Sequence, residues 1–229
     1  MLSVNSVTKA YNKFKANDKI SLTVNSGEIA VLLGPNGAGK STLIKCICSL
    51  LDFEGEISIS SHDSKSVQAK KMLGYIPEMP AVYDMLTVSE HLQFILRAYK
   101  CDDYSYADEI LRIFDLYEMK NKLGKDLSKG MKQKLSICCA LVHKPRVVIF
   151  DEPMVGLDPH SIKKLKEMFM KLKDEGVSIL ISTHMIDSVE DYWDSAYIMC
   201  DGKLRAQMKN ADGCESLQQL YFSVTEGAQ

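Results

Sequence analysis

The stretch Gly34-Pro-Asn-Gly-Ala-Gly-Lys-Ser-Thr42 decides the fold of this chain, because it fits the pattern G-x-x-x-x-G-K-[ST] of a phosphate-binding P-loop. The apolar run Ile29–Leu33 comes directly before it and predicts a buried strand. The residues after it predict a helix with one apolar face, formed by Leu43, Ile44, Ile47, Leu50 and Leu51. A strand, this loop and a helix in that order predict a site for a nucleoside triphosphate.

The loop can bind phosphate mainly through its backbone. Its glycines permit positive φ and a close approach, so that successive N–H groups form an anion nest beside the positive end of the helix. Lys40 is expected to reach the β- and γ-phosphates, and the Ser41 hydroxyl to bind Mg²⁺. We therefore expect ATP to contact the whole loop: Gly34, Pro35, Asn36, Gly37, Ala38, Gly39, Lys40, Ser41 and Thr42. A chance glycine turn is the alternative, and the flanking strand and helix disfavour it.

Composition narrows the class of protein. The 229 residues are 46% hydrophobic and 25% charged, which is ordinary for a globular protein of one large domain or two small ones. The net charge of −2 argues against a nucleic-acid-binding surface. We find no apolar run of membrane-spanning length and no signal peptide, so we expect a cytoplasmic protein. The seven cysteines lack the spacing of a zinc site and are expected to be small buried hydrophobes in helices.

The pattern along the chain indicates an α/β nucleotide-binding core with a helical insertion. Residues from about 87 to 142 have a helical pattern, which Thr87-Val-Ser-Glu90 opens like a capping box. Ser161–Asp174 predicts a further amphipathic helix. The predicted strands are Leu2–Thr8, Lys19–Val24, Glu28–Leu33, Gly55–Ser60, Met72–Ile76, Val147–Phe150, Val177–Ser182 and Asp194–Cys200.

A second chemical motif follows the strand Val147–Phe150, which runs into Asp151-Glu152-Pro153. An apolar strand that ends in acids is the Walker B pattern. Asp151 can hold Mg²⁺ through a water, and Glu152 can accept a proton from an attacking water. Taken alone, these three residues could equally be a strand-end turn, but the preceding P-loop favours the catalytic interpretation.

His184 follows another predicted strand, Val177–Ser182. Ligand sites of parallel sheets lie at the carboxyl ends of the strands. We therefore expect His184 at the same edge as the P-loop and Glu152, in contact with the γ-phosphate. A lone histidine after a strand often has no such role, and only its expected position argues for one.

Together these motifs resemble those of the ATP-binding-cassette (ABC) ATPase family over nearly the whole chain. Leu127-Ser-Lys-Gly-Met131 is similar to the family signature, Leu-Ser-Gly-Gly-Gln. Gly156-Leu-Asp158 resembles the D-loop, and His184 resembles the switch histidine. Glu78 falls at the Q-loop position, and Tyr11 falls at the position that stacks on adenine.

The resemblance implies an α/β fold with three parts. They are a P-loop NTPase core with a mostly parallel sheet, an N-terminal antiparallel β subdomain and a helical (signature) subdomain. It further implies a single ABC ATPase domain over residues 1–229, with the core at 1–78 and 144–229 and the helical subdomain at about 79–143. Two subunits, as a homodimer or a heterodimer, are expected to close head to tail around two ATP molecules.

In that dimer, each ATP lies between the P-loop of one subunit and the signature of the other. Ser128 can cap the signature helix, so the helix N-terminus and Gly130 would face the γ-phosphate. The resemblance thus adds Tyr11, Ser128, Gly130 and Asp158 to the nucleotide-binding residues. It assigns Mg²⁺ to Ser41, Glu78 and Asp151, and catalysis to Glu152 and His184. Tyr11 could instead be an ordinary packing residue.

Two motifs, the signature and the Q-loop, depart from the family pattern. Lys129 and Met131 replace a glycine and the glutamine of the signature. Lys129 either adds a cation near the ATP of the other subunit or points to solvent. Glu78 replaces the usual glutamine, and Mg²⁺ accepts a carboxylate or an amide oxygen. Both departures are common in the ABC-2 branch of exporters, which the chain therefore resembles.

We expect the ATP-binding and ATP-hydrolysing subunit of a membrane transporter, most similar to an exporter. Its partners would be transmembrane permease subunits rather than nucleic acid. They would dock on the segment Glu78–Leu86 and hold the chain at the inner face of the cell membrane. The alternative is a soluble ABC ATPase that is not coupled to transport, for example one that acts in cluster assembly. A small-molecule kinase would explain neither the signature nor His184.

Overall fold

The computed structural model describes residues 1–210 and 216–226. Within these ranges it contains ten strands, seven α-helices and three short 3₁₀ turns. The elements in chain order are β1 Leu2–Tyr11, β2 Phe14–Val24, β3 Ile29–Leu33, α1 Lys40–Ile47, β4 Glu54–Ile59, β5 His62–Asp63, α2 Val67–Lys71, β6 Leu73–Ile76, α3 Val88–Ala98, α4 Ser105–Ile113, α5 Lys129–Leu141, β7 Val147–Asp151, α6 Pro159–Asp174, β8 Ser178–Thr183, β9 Ser195–Cys200, β10 Lys203–Lys209 and α7 Leu217–Glu226.

The N-terminal strands form a four-stranded antiparallel sheet in the order β2-β1-β4-β5. Strands β1 and β2 make a tight hairpin, in which Tyr11 pairs with Phe14. Asn12, the first residue of the turn, has a φ of 55°, as a two-residue hairpin turn requires. The antiparallel β subdomain expected from the sequence is thus confirmed.

The second sheet has six strands in the order β10-β9-β3-β8-β7-β6. All neighbours run parallel except the antiparallel pair β9 and β10. Every residue of β3, β7 and β8 is buried, as expected for apolar strands in a sheet covered on both faces. This sheet confirms the predicted mostly parallel core. Its topology brings the carboxyl ends of β3, β7 and β8 to one edge, where residues 34–39, Asp151 and Thr183 lie.

Three helices, α3 to α5, lie between β6 and β7 in the sequence and pack into the main hydrophobic core. Helix α3 begins with the predicted capping box: Glu90 N donates to Thr87 Oγ1 at 3.2 Å, and Thr87 N donates to Glu90 Oε2 at 2.7 Å. These helices fall within residues 79–143, the range expected for a helical subdomain. The division of the chain into a core and a subdomain remains a prediction.

The structure corrects the helix predicted after the P-loop. Helix α1 ends at Ile47, and Ser49 adopts a left-handed φ of 54° that turns the chain away. Leu43, Ile44 and Ile47 are buried as expected. Leu50, however, is 61% exposed, and it lies with Leu51 beyond the helix.

Strand β10, like the two-residue strand β5, carried no sequence signal of the kind that found the other eight strands. It alternates exposed and half-buried residues and has no continuous apolar run. Its position is set by antiparallel pairing with β9.

The cysteines that the structure describes are free thiols. Cys46, Cys138 and Cys200 are buried, and burial raises the pKa of the Cys46 thiol to about 11. Cys214 lies outside the described residues. None of the helices in the described ranges is long and apolar enough to cross a membrane.

Candidate nucleotide site

The phosphate loop connects β3 to α1 in the conformation that its glycines predict. Gly37 and Gly39 have φ of 83° and 100°, left-handed values that glycine adopts at little cost. A Cβ on Gly39 would lie 2.4 Å from the carbonyl oxygen of Ala16, so a side chain is also excluded by space. No side chain caps the N-terminus of α1. The first N–H groups of the helix can therefore donate to an anion.

Lys40 is a buried cation held by the loop itself. The residue is 6% exposed, and its Nζ donates to the carbonyl oxygens of Gly34 at 2.7 Å and Pro35 at 3.2 Å. Burial lowers the pKa of Lys40, while the nearby carboxylates of Glu152, Asp151 and Glu78 act in the opposite direction. Because a phosphate oxygen carries more charge than a carbonyl, it would be a stronger partner for this ammonium group.

Asp151 and Ser41 face each other where β7 meets α1. Asp151 is buried, and its Oδ1 accepts a hydrogen bond from Ser41 Oγ at 3.3 Å and one from Ser182 Oγ. A hydroxyl and a carboxylate are oxygen ligands of the kind that Mg²⁺ prefers, so this pair fits that ion. In the described part of the chain, no group of three or more His, Cys, Asp or Glu could hold a metal. An ion here would therefore depend on phosphate and water oxygens as well.

Glu152 is fixed in a strained conformation. Its φ of 47° lies in the left-handed region, which costs a non-glycine residue about 1 kcal/mol. Its N–H donates to Ser182 O at 3.1 Å, and its Oε2 accepts from Thr183 Oγ1 at 3.1 Å. Its Oε1 lies 4.0 Å from Lys40 Nζ. Such strain is concentrated at functional sites, where the surrounding structure maintains it.

His184 lies beside Glu152 at the end of β8. Its Nδ1 is 2.8 Å from Glu152 Oε1, so the ring carries a proton on Nδ1 to donate to the carboxylate. The His184 side chain remains 41% exposed. Its other nitrogen, Nε2, is therefore available to a ligand. The structure brings together Lys40, Glu152 and His184, as the sequence predicts.

These residues border one cleft of about 540 Å³, a size typical of small-molecule sites. Tyr11 and Glu78 also border this cleft. Its lining residues are Tyr11, Phe14, Ala16, Asn36, Gly37, Ala38, Gly39, Lys40, Ser41, Thr42, Glu78, Glu152 and His184. Phe14 and Ala16 were not predicted as site residues, although the short turn before Phe14 could have indicated them. Ser182 and Thr183, which hydrogen-bond to the two acids, were not predicted as site residues: Ser182 ends a predicted strand and Thr183 follows it.

Three predicted residues lie together on a different surface. Ser128 caps α5 through a hydrogen bond from Met131 N at 3.3 Å. A Cβ on Gly130 would lie 3.1 Å from the carbonyl oxygen of Gly156. Asp158 caps α6 by accepting from Ser161 N at 3.0 Å, and its hydrogen bonds to Ser161 hold its pKa well below the usual range. Neither Ser128, Gly130 nor Asp158 borders the cleft, so one copy of the chain does not bring them to its own nucleotide site.

The signature helix and the D-loop segment are in direct contact within the chain. The Lys129 stem lies against Gly156, with Cε 3.4 Å from the position of a Cβ there. Lys134 Nζ lies 3.6 Å from Asp158 Oδ2. Lys129 itself is exposed.

Comparisons with known proteins bear on the family and the fold of this chain. Residues 17–155 match the family model described as ABC transporter. The chain is 34% identical to the ABC-type transporter ATP-binding protein EcsA of Bacillus subtilis (strain 168), over 99% of this chain and 97% of EcsA. It is 35% identical to the SkfA peptide export ATP-binding protein SkfE of the same organism, over 89% of this chain and 87% of SkfE. A solved ATP-binding subunit of an ABC transporter is 34% identical and superposes with a TM-score of 0.90, over 98% of this chain and 99% of the other.

Proposed function

This chain belongs to the ABC transporter family, and on that premise we propose that it is the ATP-hydrolysing subunit that drives an exporter. Members of this family bind ATP, and their ATPase activity is a family property. The observation that carries the proposal is the position of Glu152. Its carboxylate lies 2.8 Å from His184 Nδ1 and 4.0 Å from Lys40 Nζ, in the cleft that the phosphate loop borders.

The proposed reaction is hydrolysis of ATP to ADP and phosphate. A water attacks the γ-phosphorus, its proton passes to Glu152, and the bond to the β–γ bridging oxygen breaks. Lys40 and the N-terminus of α1 stabilise the charge on the phosphates. The Nδ1 proton of His184 orients Glu152. Ser41, Asp151 and Glu78 would hold Mg²⁺, which supplies further positive charge beside the phosphates.

The site is completed by a second ABC subunit. Ser128, Gly130 and Asp158 lie outside the cleft of their own chain, while the N-terminus of α5 is exposed. A head-to-tail pair, with itself or with a related subunit, would present these residues to the γ-phosphate of the other copy. ATP would join the two subunits, and loss of the γ-phosphate would separate them.

A permease would dock beside the segment Glu78–Leu86. Met79, Tyr83 and Met85 are 81%, 58% and 72% exposed, an unusual density of large apolar side chains in contact with water. Next to them lies a groove of about 520 Å³ that includes Ala81 and Ile95. An apolar groove with an apolar rim fits one face of a partner helix. The chain would then be peripheral at the inner face of the membrane, and the name of SkfE supports export as the direction.

The test is capture of tagged Glu152→Gln from detergent-solubilised native membranes in the presence of ATP and Mg²⁺. Because this change should trap the closed pair, we expect a multi-span membrane protein to co-purify. When Met79→Ser and Met85→Ser are added, that membrane protein should no longer co-purify, and ATP-dependent pairing should remain intact. Adding Phe222→Ser, at a residue 49% exposed on α7, is the matched control and should retain it. If only soluble proteins are captured in several detergents, the chain is an ABC ATPase that is not coupled to transport.

A further inference from the structure

The hairpin at the rim of the cleft carries two aromatic rings. Tyr11 and Phe14 are directly paired across β1 and β2, and residues paired in this way project from the same face of a sheet. Both border the cleft that the phosphate loop borders. The family pattern provides one stacking ring, at Tyr11. The geometry places a second ring beside it.

Both rings are left exposed by the fold. Phe14 is 68% exposed and Tyr11 is 47% exposed. Among the described residues, neither ring packs against another aromatic ring, and the contact shown is Lys9 Nζ at 5.1 Å from the centre of the Tyr11 ring. Phe14 therefore contributes little to the core. A large apolar ring that is exposed inside a ligand cleft is available to a ligand.

The hairpin is held at a fixed position relative to the phosphate loop. Asn17, buried in β2, donates from Nδ2 to the carbonyl oxygen of Gly39 at 3.1 Å. The Ala16 carbonyl oxygen lies so close to Gly39 that a Cβ there would be 2.4 Å away. Because Ala16 and Asn17 follow Phe14 on the same strand, these contacts join the strand that carries the Phe14 ring directly to the phosphate loop. A ligand bound at one end is thus positioned at the other.

We propose that Phe14 and Tyr11 together form a platform for the base of the nucleotide, with Phe14 as a second base-contacting residue. The inference rests on the proposed function, because it requires a nucleoside triphosphate in this cleft. Stacking of a base on an aromatic side chain changes affinity by about five- to 150-fold on alanine substitution. The base is held by its faces and the triphosphate by the loop, so the two contributions can be separated by experiment.

The test compares dissociation constants of the full chain for ATP and for inorganic tripolyphosphate, which lacks the base. Phe14→Ala should weaken ATP binding at least about fivefold and leave tripolyphosphate binding unchanged. Phe14→Trp should retain ATP affinity, because it keeps an aromatic face. Phe222→Ala, at an exposed ring on α7, is the control and should change neither value.

Three outcomes would overturn the inference. Unchanged ATP affinity in Phe14→Ala would show that the ring does not contact the base. An equal loss for ATP and tripolyphosphate would show that the substitution acts on the phosphate loop. Failure of the unmodified chain to bind either ligand would contradict the proposed nucleotide site itself, a result distinct from the other two.

Discussion

At the scale of single residues, Glu152 has the surroundings that best fit a catalytic role. Its left-handed backbone and its contacts with Thr183 and His184 hold the carboxylate in the cleft, where the proposed general base would act. Its neighbour Asp151 faces Ser41 instead. Two adjacent acids therefore have different surroundings and different proposed roles.

Glu152→Gln should lower the rate of ATP hydrolysis by about 10²- to 10⁴-fold, the usual contribution of a general base. ATP affinity should change little, because the amide keeps the size of the side chain and one oxygen acceptor. Phosphate release measures the rate of hydrolysis, and nucleotide titration measures the affinity for ATP. Glu167→Gln, at an exposed position on α6, should leave both unchanged. Normal hydrolysis by Glu152→Gln would refute the assignment.

Lys129 is exposed at the start of α5, on the surface proposed to face the ATP of a second subunit. Lys129→Gly should weaken ATP-dependent pairing and make pairing less sensitive to salt, because a screened attraction is lost. Sedimentation of the Glu152→Gln form at low and high salt measures this. Lys129→Arg keeps the charge and should retain pairing. Equal pairing of all variants at both salt concentrations would refute an electrostatic role for Lys129.

At the scale of the elements, pairing between strands assembles the site. Parallel pairing of β7 with β8 places Asp151 opposite Ser182. The Ser182 hydroxyl reaches Asp151 as a result, and the residues that follow these two in the chain, Thr183 and Glu152, also meet. A slip of one residue in this register would separate both pairs.

The start of α3 offers a test of local stability. Thr87→Ala should lower the free energy of unfolding by about 1 kcal/mol, because the side-chain half of the capping box is lost. Urea denaturation measures the change. Thr87→Ser retains a hydroxyl acceptor and should lose less than half as much. Equal stability of Thr87→Ala and the unmodified chain would mean that the cap does not stabilise α3.

At the scale of the whole molecule, His143 links the helical segment to the sheet. It lies just after α5, its Nε2 donates to the carbonyl oxygen of Leu73 in β6 at 3.2 Å, and its ring packs on Tyr99 at 3.9 Å between centres. Burial lowers the pKa of His143 to about 4. The folded chain therefore keeps this ring neutral at a pH where an unfolded chain protonates it.

This shift predicts how stability depends on pH. Well above about pH 6.5, the pKa of histidine in an unfolded chain, the ring is neutral in both the folded and the unfolded state. Its protonation then does not lower the free energy of unfolding. As the pH falls from about 6.5 towards 4, the unfolded state binds the proton first and stability is lost. We expect His143 to account for a loss of about 1 to 2 kcal/mol between pH 7 and pH 5.

Urea denaturation at several pH values measures this loss. His143→Gln should show a smaller loss over that range than the unmodified chain. His160→Gln, at an exposed histidine, should lose as much stability over that pH range as the unmodified chain. If His143→Gln and the unmodified chain lose equal stability, the burial of this ring does not control the response.

The sequence by itself determined the phosphate loop, the capping box of α3 and the chemical identity of the two acids. These features depend on residues close together in the chain, such as the glycines at 37 and 39, so a local pattern predicts them. The apolar runs Ile29–Leu33 and Val147–Phe150 likewise predicted strands that are buried on both faces.

Only the tertiary structure decided which residues meet. The contacts of Ser41 with Asp151 and of Asn17 with Gly39 join distant segments, and they depend on strand order and register, which no local pattern contains. The same holds for Phe14, which becomes a residue of the cleft through the hairpin. Leu50 follows the helical spacing and is nevertheless exposed, because the chain turns at Ser49. The residues within each segment thus determined its chemistry, and packing between distant segments decided which other residues it contacts.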